Sequence, residues 1–130
     1  MAKIRHVAIC TNDPEKTAAW YMEAFGLAEV GRTASGGYYL SDGDINFAVL
    51  PARSPEDVGV SHFGFMVEDP EAIYRKLEEM GAIRQPTVPL GNQYFEVKFL
   101  GPDAVTIDVS EHGWVGAKPL EAPAAETTAK

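Results

Sequence analysis

At 130 residues and 45% hydrophobic, the chain has material for one core of ordinary size, and two independent domains would each be too small. A net charge of −8 repels phosphate backbones and anionic membrane surfaces, so neither nucleic acid nor membrane is expected as a partner. The one cysteine, Cys10, closes no internal disulfide, and no apolar N-terminal stretch resembles a signal peptide or a membrane span, so the expected location is cytoplasmic.

The first predicted element is a strand over residues 4–10, rich in β-formers, with His6, Ala8 and Cys10 on one face and Val7 and Ile9 on the other. Asp13 caps a helix that has Pro14 at its first position, where φ is preset and the missing N–H costs nothing. Ala18, Tyr21, Met22 and Phe25 recur at helical spacing, and Gly26 ends the run. Strands follow over residues 29–33, 38–40 and 45–50, separated by turns at Gly36-Gly37 and at residues 41–44. This first module, about residues 1–50, reads βαβββ.

Residues 51–59 form a connector marked by Pro51, Pro55 and Gly59. The second module, about 60–114, repeats the plan. His62 through Glu71 aligns without a gap on His6 through Glu15, placing His on His and Asp-Pro-Glu on Asp-Pro-Glu. A strand over 60–67 leads to a helix capped by Asp69 and opened by Pro70, whose expected buried stripe is Ile73, Leu77 and Met80. Further strands are expected over 83–88, 94–100 and 105–110. Together the modules make one domain over 1–114. Residues 115–130 are nearly devoid of large apolar side chains and are expected to form a flexible or surface-draped tail.

Strand parity places both repeat histidines on the face away from the helices, with Thr106, Asp108 and Ser110 of the last strand beside them. Two neutral imidazoles and a carboxylate on rigid strands suit a divalent ion such as Fe, Mn, Zn or Ni, with positions left open for water or substrate. His6, His62 and Asp108 are therefore the candidate ligands. His112 is a poor fourth, since on a continuing strand it lies about 13 Å beyond Asp108. Tyr94, Glu96 and Lys98 share one strand face and are the candidate catalytic groups. Lys98 would act as a proton donor, since burial next to a cation lowers its pKa, or bind an anionic substrate; the alternative is a surface lysine on an edge strand. Cys10 is expected as a small packed residue, and Met66 deep on its strand. One of Tyr38 and Tyr39 faces inward, and Trp114 either closes the barrel mouth or packs on a helix.

Over residues 4–112 the chain resembles the vicinal oxygen chelate superfamily, the glyoxalase/bleomycin resistance/dioxygenase group. The resemblance rests on His6, on Trp20-Tyr21 followed by Phe25-Gly26-Leu27, on His62, and on the final turn and strand from Gly101 to Asp108. It implies an α+β fold in which paired βαβββ modules form an incomplete eight-stranded mixed barrel with the helices outside, commonly as a homodimer. It also implies chelation of vicinal substrate oxygens on a divalent metal. Here aspartate replaces the family's usual glutamate, so Asp108 must sit closer to the ion. The four-ligand branches, glyoxalase I and methylmalonyl-CoA epimerase, place a Glu or Gln where this chain has Ala48, or Asn46 if the register slips by two. The fosfomycin-modifying transferases and the extradiol dioxygenases match the triad, but each has a tyrosine where Lys98 stands here.

The function implied is a metal-dependent enzyme acting on a small oxygen-rich molecule, dioxygenase-like or lyase-like. The alternative is a metal-independent drug-sequestering protein of the bleomycin-resistance kind, for which 13 aromatic residues would supply stacking surfaces.

Overall fold

The computed structural model describes residues 1–86, 88–90 and 94–121. The first module comprises β1 (Lys3–Thr11), α1 (Pro14–Phe25), β2 (Ala28–Arg32), β3 (Tyr38–Ser41) and β4 (Asn46–Pro51). A single 3-10 turn at Pro55–Asp57 lies in the connector. The second module comprises β5 (Gly59–Met66), α2 (Pro70–Glu79), β6 (Ile83–Arg84), β7 (Val88–Leu90), β8 (Tyr94–Leu100) and β9 (Thr106–Ser110). The strand expected over 83–88 is in two pieces. Pro86 has no N–H to continue the ladder, and β6 and β7 each pair with a different stretch of β8.

Both helices start as the sequence dictates: the Asp13 carboxylate accepts from the Lys16 N–H and that of Asp69 from the Ala72 N–H, with proline following each cap. Gly26 closes α1 at φ 72°, a conformation that costs glycine little. The helix stripes need correction at their C-terminal ends. Phe25 is exposed at the last position of α1, and Met80 is 73% exposed because it caps α2 from beyond its last turn. Tyr74 is the buried residue of α2.

The sheet runs β2-β3-β4-β1-β5-β9-β8-β6, with β7 on β8 off this path, and it does not close. The strands of the first module occupy one half of this order and those of the second the other, so β1 and β5 meet antiparallel at the centre. Each module packs its helix on one sheet face. Ala18, Tyr38, Leu40 and Val49 form the core under α1, and Val67, Tyr74, Val97, Phe99 and Val109 form it under α2. Thus Tyr38 is the core tyrosine. Val105, expected beside Ile107 and Val109, is 46% exposed because β9 begins one residue later.

Corresponding registers fix the broken symmetry of the two halves. Ala8 pairs with Ala48 across the parallel β1/β4 ladder, and Gly64 pairs with Asp108 across β5/β9. Ala48 and Asp108 therefore hold equivalent places, one in each module. Among the described residues no helix is long and apolar enough to cross a membrane.

Candidate metal centre

His6 on β1, His62 on β5 and Asp108 on β9 come together on the face away from the helices, and all three are buried. His6 Nε2 is 3.2 Å from His62 Nε2, His62 Nε2 is 3.2 Å from Asp108 Oδ2, and His6 Nε2 is 3.8 Å from that same oxygen. A point equidistant from these three atoms lies about 2.0 Å from each, the length of an imidazole or carboxylate bond to a divalent transition ion. Asp108 Oδ2 is also a buried oxygen that no donor satisfies with hydrogen-bond geometry. A buried carboxylate oxygen left in this way is costly, and an ion at the centre of the triangle would satisfy it. The donor set and its spacing fit a divalent metal.

The neighbours orient each of the three groups. Asn46 Nδ2 donates to the Val115 carbonyl at 2.7 Å, which turns Asn46 Oδ1 toward His6. His6 Nδ1 is 2.7 Å from that oxygen and must be the donor, so its Nε2 presents a lone pair to the centre. Asn46 is thus a support for His6 and not a fourth ligand. Ser61 Oγ lies 2.8 Å from His62 Nδ1 and holds the second ring, accepting from Nδ1 in the tautomer that frees Nε2 for the centre. Lys98, directly opposite Asp108 in the β8/β9 ladder, donates to Asp108 Oδ1 at 2.8 Å, leaving Oδ2 for the centre. Burial and the neighbouring His62 push the pKa of His6 down to about 4, so it is neutral at physiological pH. For Asp108, burial pushes upward, but His62 and Lys98 outweigh it and hold the carboxyl at about 2. Both groups are in their ligating forms at pH 7.

Lys98 departs from expectation. Burial alone would lower its pKa, but Glu96, with Oε2 at 3.0 Å, and Asp108 together raise it. In the metal-free protein these two carboxylates hold it as a cation. It is not an edge-strand surface residue, since β8 is flanked by β9 on one side and by β6 and β7 on the other. The Glu96 carboxyl is raised by burial and then by Asp108. Tyr94 begins β8, and its side chain lies outside the described residues.

Trp114 closes the site. Its ring stacks on His6 with centroids 4.7 Å apart and planes 8° from parallel, and its Nε1 donates to Glu96 Oε1 at 2.9 Å. Gly64 makes room for it, since a Cβ there would lie 2.7 Å from the His6 Cβ and from the indole. Beyond Trp114 the chain crosses onto the first module. The Gly116 carbonyl accepts from Ser41 Oγ, the Lys118 N–H donates to the Asp44 carbonyl, and Arg5 Nε donates to the Lys118 carbonyl. Sequence reasoning missed this support from Asn46 and Val115. The clue available was an amide side chain one strand from His6, at the register position weighed only for ligation.

The centre opens into a cavity of about 530 Å³ lined by His6, His62, Glu96, Lys98, Trp114 and Tyr39, the inward tyrosine, together with Ala48 and residues of the β2–β3 and β4–β5 connections. Cys10 lines a neighbouring cavity, Met66 lies under Gly113, and His112 points toward Glu111, away from the triad.

The model of the Glyoxalase/Bleomycin resistance protein/Dioxygenase superfamily matches residues 3–109. The chain belongs to that superfamily. Among curated proteins, the uncharacterized protein YwkD of Bacillus subtilis (strain 168) is 30% identical over 127 residues, covering 85% of this chain and 98% of YwkD. Among solved structures, the 2,3-dioxygenase LapB of Pseudomonas sp. KL28 superposes with a TM-score of 0.71 at 20% identity, over 92% of this chain and 43% of LapB. A methylmalonyl-CoA epimerase variant of Streptomyces coelicolor gives 0.72 at 14% identity, over 93% of this chain and 98% of the epimerase. The Mn(II)-bound glyoxalase of Novosphingobium aromaticivorans gives 0.71 at 20%, over 92% of this chain and 42% of that one. At these identities the structures establish the fold. Trp114 and the crossing segment lie outside the matched residues, so this chain's superfamily domain is completed by a stretch the family model does not include.

Proposed function

We propose that the protein is a divalent-metal-dependent superfamily enzyme, with His6, His62 and Asp108 as the three protein ligands and a small oxygen-rich organic molecule as substrate. The observation that carries this reading is the close triangle of His6 Nε2, His62 Nε2 and Asp108 Oδ2, the last a buried oxygen with no hydrogen-bond partner among the described residues. A divalent ion held there supplies Lewis acidity to two adjacent substrate oxygens, because three ligands leave positions open. With Ala48 at the place equivalent to Asp108, no fourth side chain among the described residues competes for them.

The chain's own residues do the rest. Asn46 and Ser61 fix the imidazole orientations, and Trp114 stacks on His6 and covers it. Glu96 lines the cavity, and its raised pKa brings it toward the range of a working general base. In this reading Glu96 would take a proton from a substrate carbon held in the cavity, and Lys98, paired with Glu96 and Asp108, would steady the negative charge there. The proton then returns to another position in an isomerisation, or a group departs in a lyase reaction. Of the two chemistries the sequence suggests, Glu96 favours lyase or isomerase chemistry over dioxygenation. A metal-free sequestering protein would leave Asp108 Oδ2 with only the His62 ring, 3.2 Å away, to offset its burial.

Protein purified without chelator and supplied with Fe, Mn, Zn or Ni is expected to hold about one equivalent of metal per chain, and His62→Ala to hold little. Sub-stoichiometric metal in the unmutated protein under all four supplements would refute the reading.

A further inference from the structure

The chain as a whole is acidic at −8, yet the cavity over the triad is lined by three cationic side chains, Arg32, Arg53 and Lys98, and one acid, Glu96. Lys98 is already taken up by Glu96 and Asp108. Counted with Glu96 and Asp108, the two arginines and Lys98 leave a net charge of 3 − 2 = +1, and a bound divalent ion would add to it. Arg32 is held in place, its guanidinium carbon 3.9 Å from the centroid of the Tyr38 ring and its Nε donating to the Gly37 carbonyl at 3.3 Å. Those contacts leave its terminal amino groups for another acceptor. Arg53 makes no ion pair among the described residues, and it stands where the cavity meets its neighbour, since Ser35, Leu50 and Arg53 line both. The neighbouring cavity carries Glu56 and Asp57, which discourage an anion from moving further that way.

From this distribution, and resting on the metal-centre reading above, we infer that the substrate is a small organic anion. Its vicinal oxygens face the triad, and a separate carboxylate or phosphate group at its other end is taken by Arg53 and Arg32. A guanidinium's planar fork of N–H donors suits either group. A cavity of about 530 Å³ has room for such a molecule but lies well inside the usual small-ligand range of roughly 300–1,000 Å³. The same lining repels a cationic drug, although the net charge of the whole chain would attract one.

Three hydroxamate probes share one bidentate head and differ at the tail: acetohydroxamate is neutral, succinohydroxamate carries a carboxylate, and phosphonoacetohydroxamate carries a phosphonate. Their dissociation constants from the metal-loaded protein can be measured by titration calorimetry. At least one anionic probe is expected to bind about tenfold or more tightly than the neutral one. The tighter of the two identifies the tail the site prefers. In Arg53→Gln combined with Arg32→Gln that advantage is expected to fall to near one. Equal binding of all three probes to the unmutated protein, or an advantage that survives both substitutions, would overturn the inference and leave the metal centre standing. Failure to take up metal is seen before any probe is added and would overturn the functional reading itself, and this inference with it.

Discussion

Asp108→Asn is expected to weaken divalent-metal binding by about 100-fold or more, at or above what loss of a supporting residue behind a ligand typically costs. The substitution keeps the shape of the side chain, so the effect is electronic and directional. Lys98 Nζ has only protons to offer at 2.8 Å, which obliges the amide to turn its oxygen toward the lysine. The amide nitrogen, which has no lone pair to donate, then occupies the place of Oδ2 beside His62. The ion loses both a negative charge and a ligand. Competition against a chelator of known affinity measures the change. A dissociation constant within about threefold of the unmutated value would show that Asp108 does not ligate, since true ligands are worth far more than that.

Lys98→Met is expected to destabilise the metal-free protein by about 2 kcal/mol or more, toward the lower side of what breaking a buried ion pair costs, because the Lys98 side chain is 24% exposed. It removes the one cation held between Glu96 and Asp108 and leaves two carboxylates facing each other out of water. The loss depends on pH. The pKa of Glu96 is already raised by burial and by Asp108, and without Lys98 it rises further. Between the ordinary glutamate value and the raised one, the folded protein binds more protons than the unfolded chain, so stability falls as pH increases through that window. Denaturant unfolding of Lys98→Met should therefore show less destabilisation near pH 5 than near pH 8. Adding Glu96→Gln should recover part of the loss at the higher pH. A variant equally unstable at both pH values, with no recovery, would mean that packing of the lysine stem matters and its charge does not.

The repeat made the fold legible. Asp-Pro at both helix starts, glycine after α1 and the alignment of His6 on His62 give the βαβββ plan, because capping and strand alternation are local and act alike in each copy. The three triad residues could be read for the same reason: strand parity is enough to put His6, His62 and Asp108 on one face. What could not be read depended on contacts between strands or on chain crossing from one module to the other. The pairing of Lys98 with Glu96 and Asp108, which raises its pKa in the metal-free protein, could not be read because no periodicity shows how two carboxylates weigh against burial. The supporting role of Asn46 requires the Val115 carbonyl, 69 residues away, to turn its amide. Trp114 stacks on His6 only because Gly64 lacks a side chain, a vacancy visible once β1 and β5 are paired. Met80 and Val105 were misplaced by the one-residue ambiguity at element ends, where a cap or a late strand start decides burial.

In the proposed function, two imidazoles and one carboxylate of this chain hold a divalent ion. X-ray absorption fine structure of the protein loaded with one equivalent of Zn or Mn tests it most directly, because it counts ligands without requiring a known substrate. The spectrum is expected to fit nitrogen and oxygen neighbours at about 2.0–2.2 Å, with the outer-shell scattering of two imidazole rings. His6→Ala or His62→Ala, where metal remains, should remove one of those rings. A spectrum with no imidazole scattering, or one left unchanged by either substitution, would contradict the account.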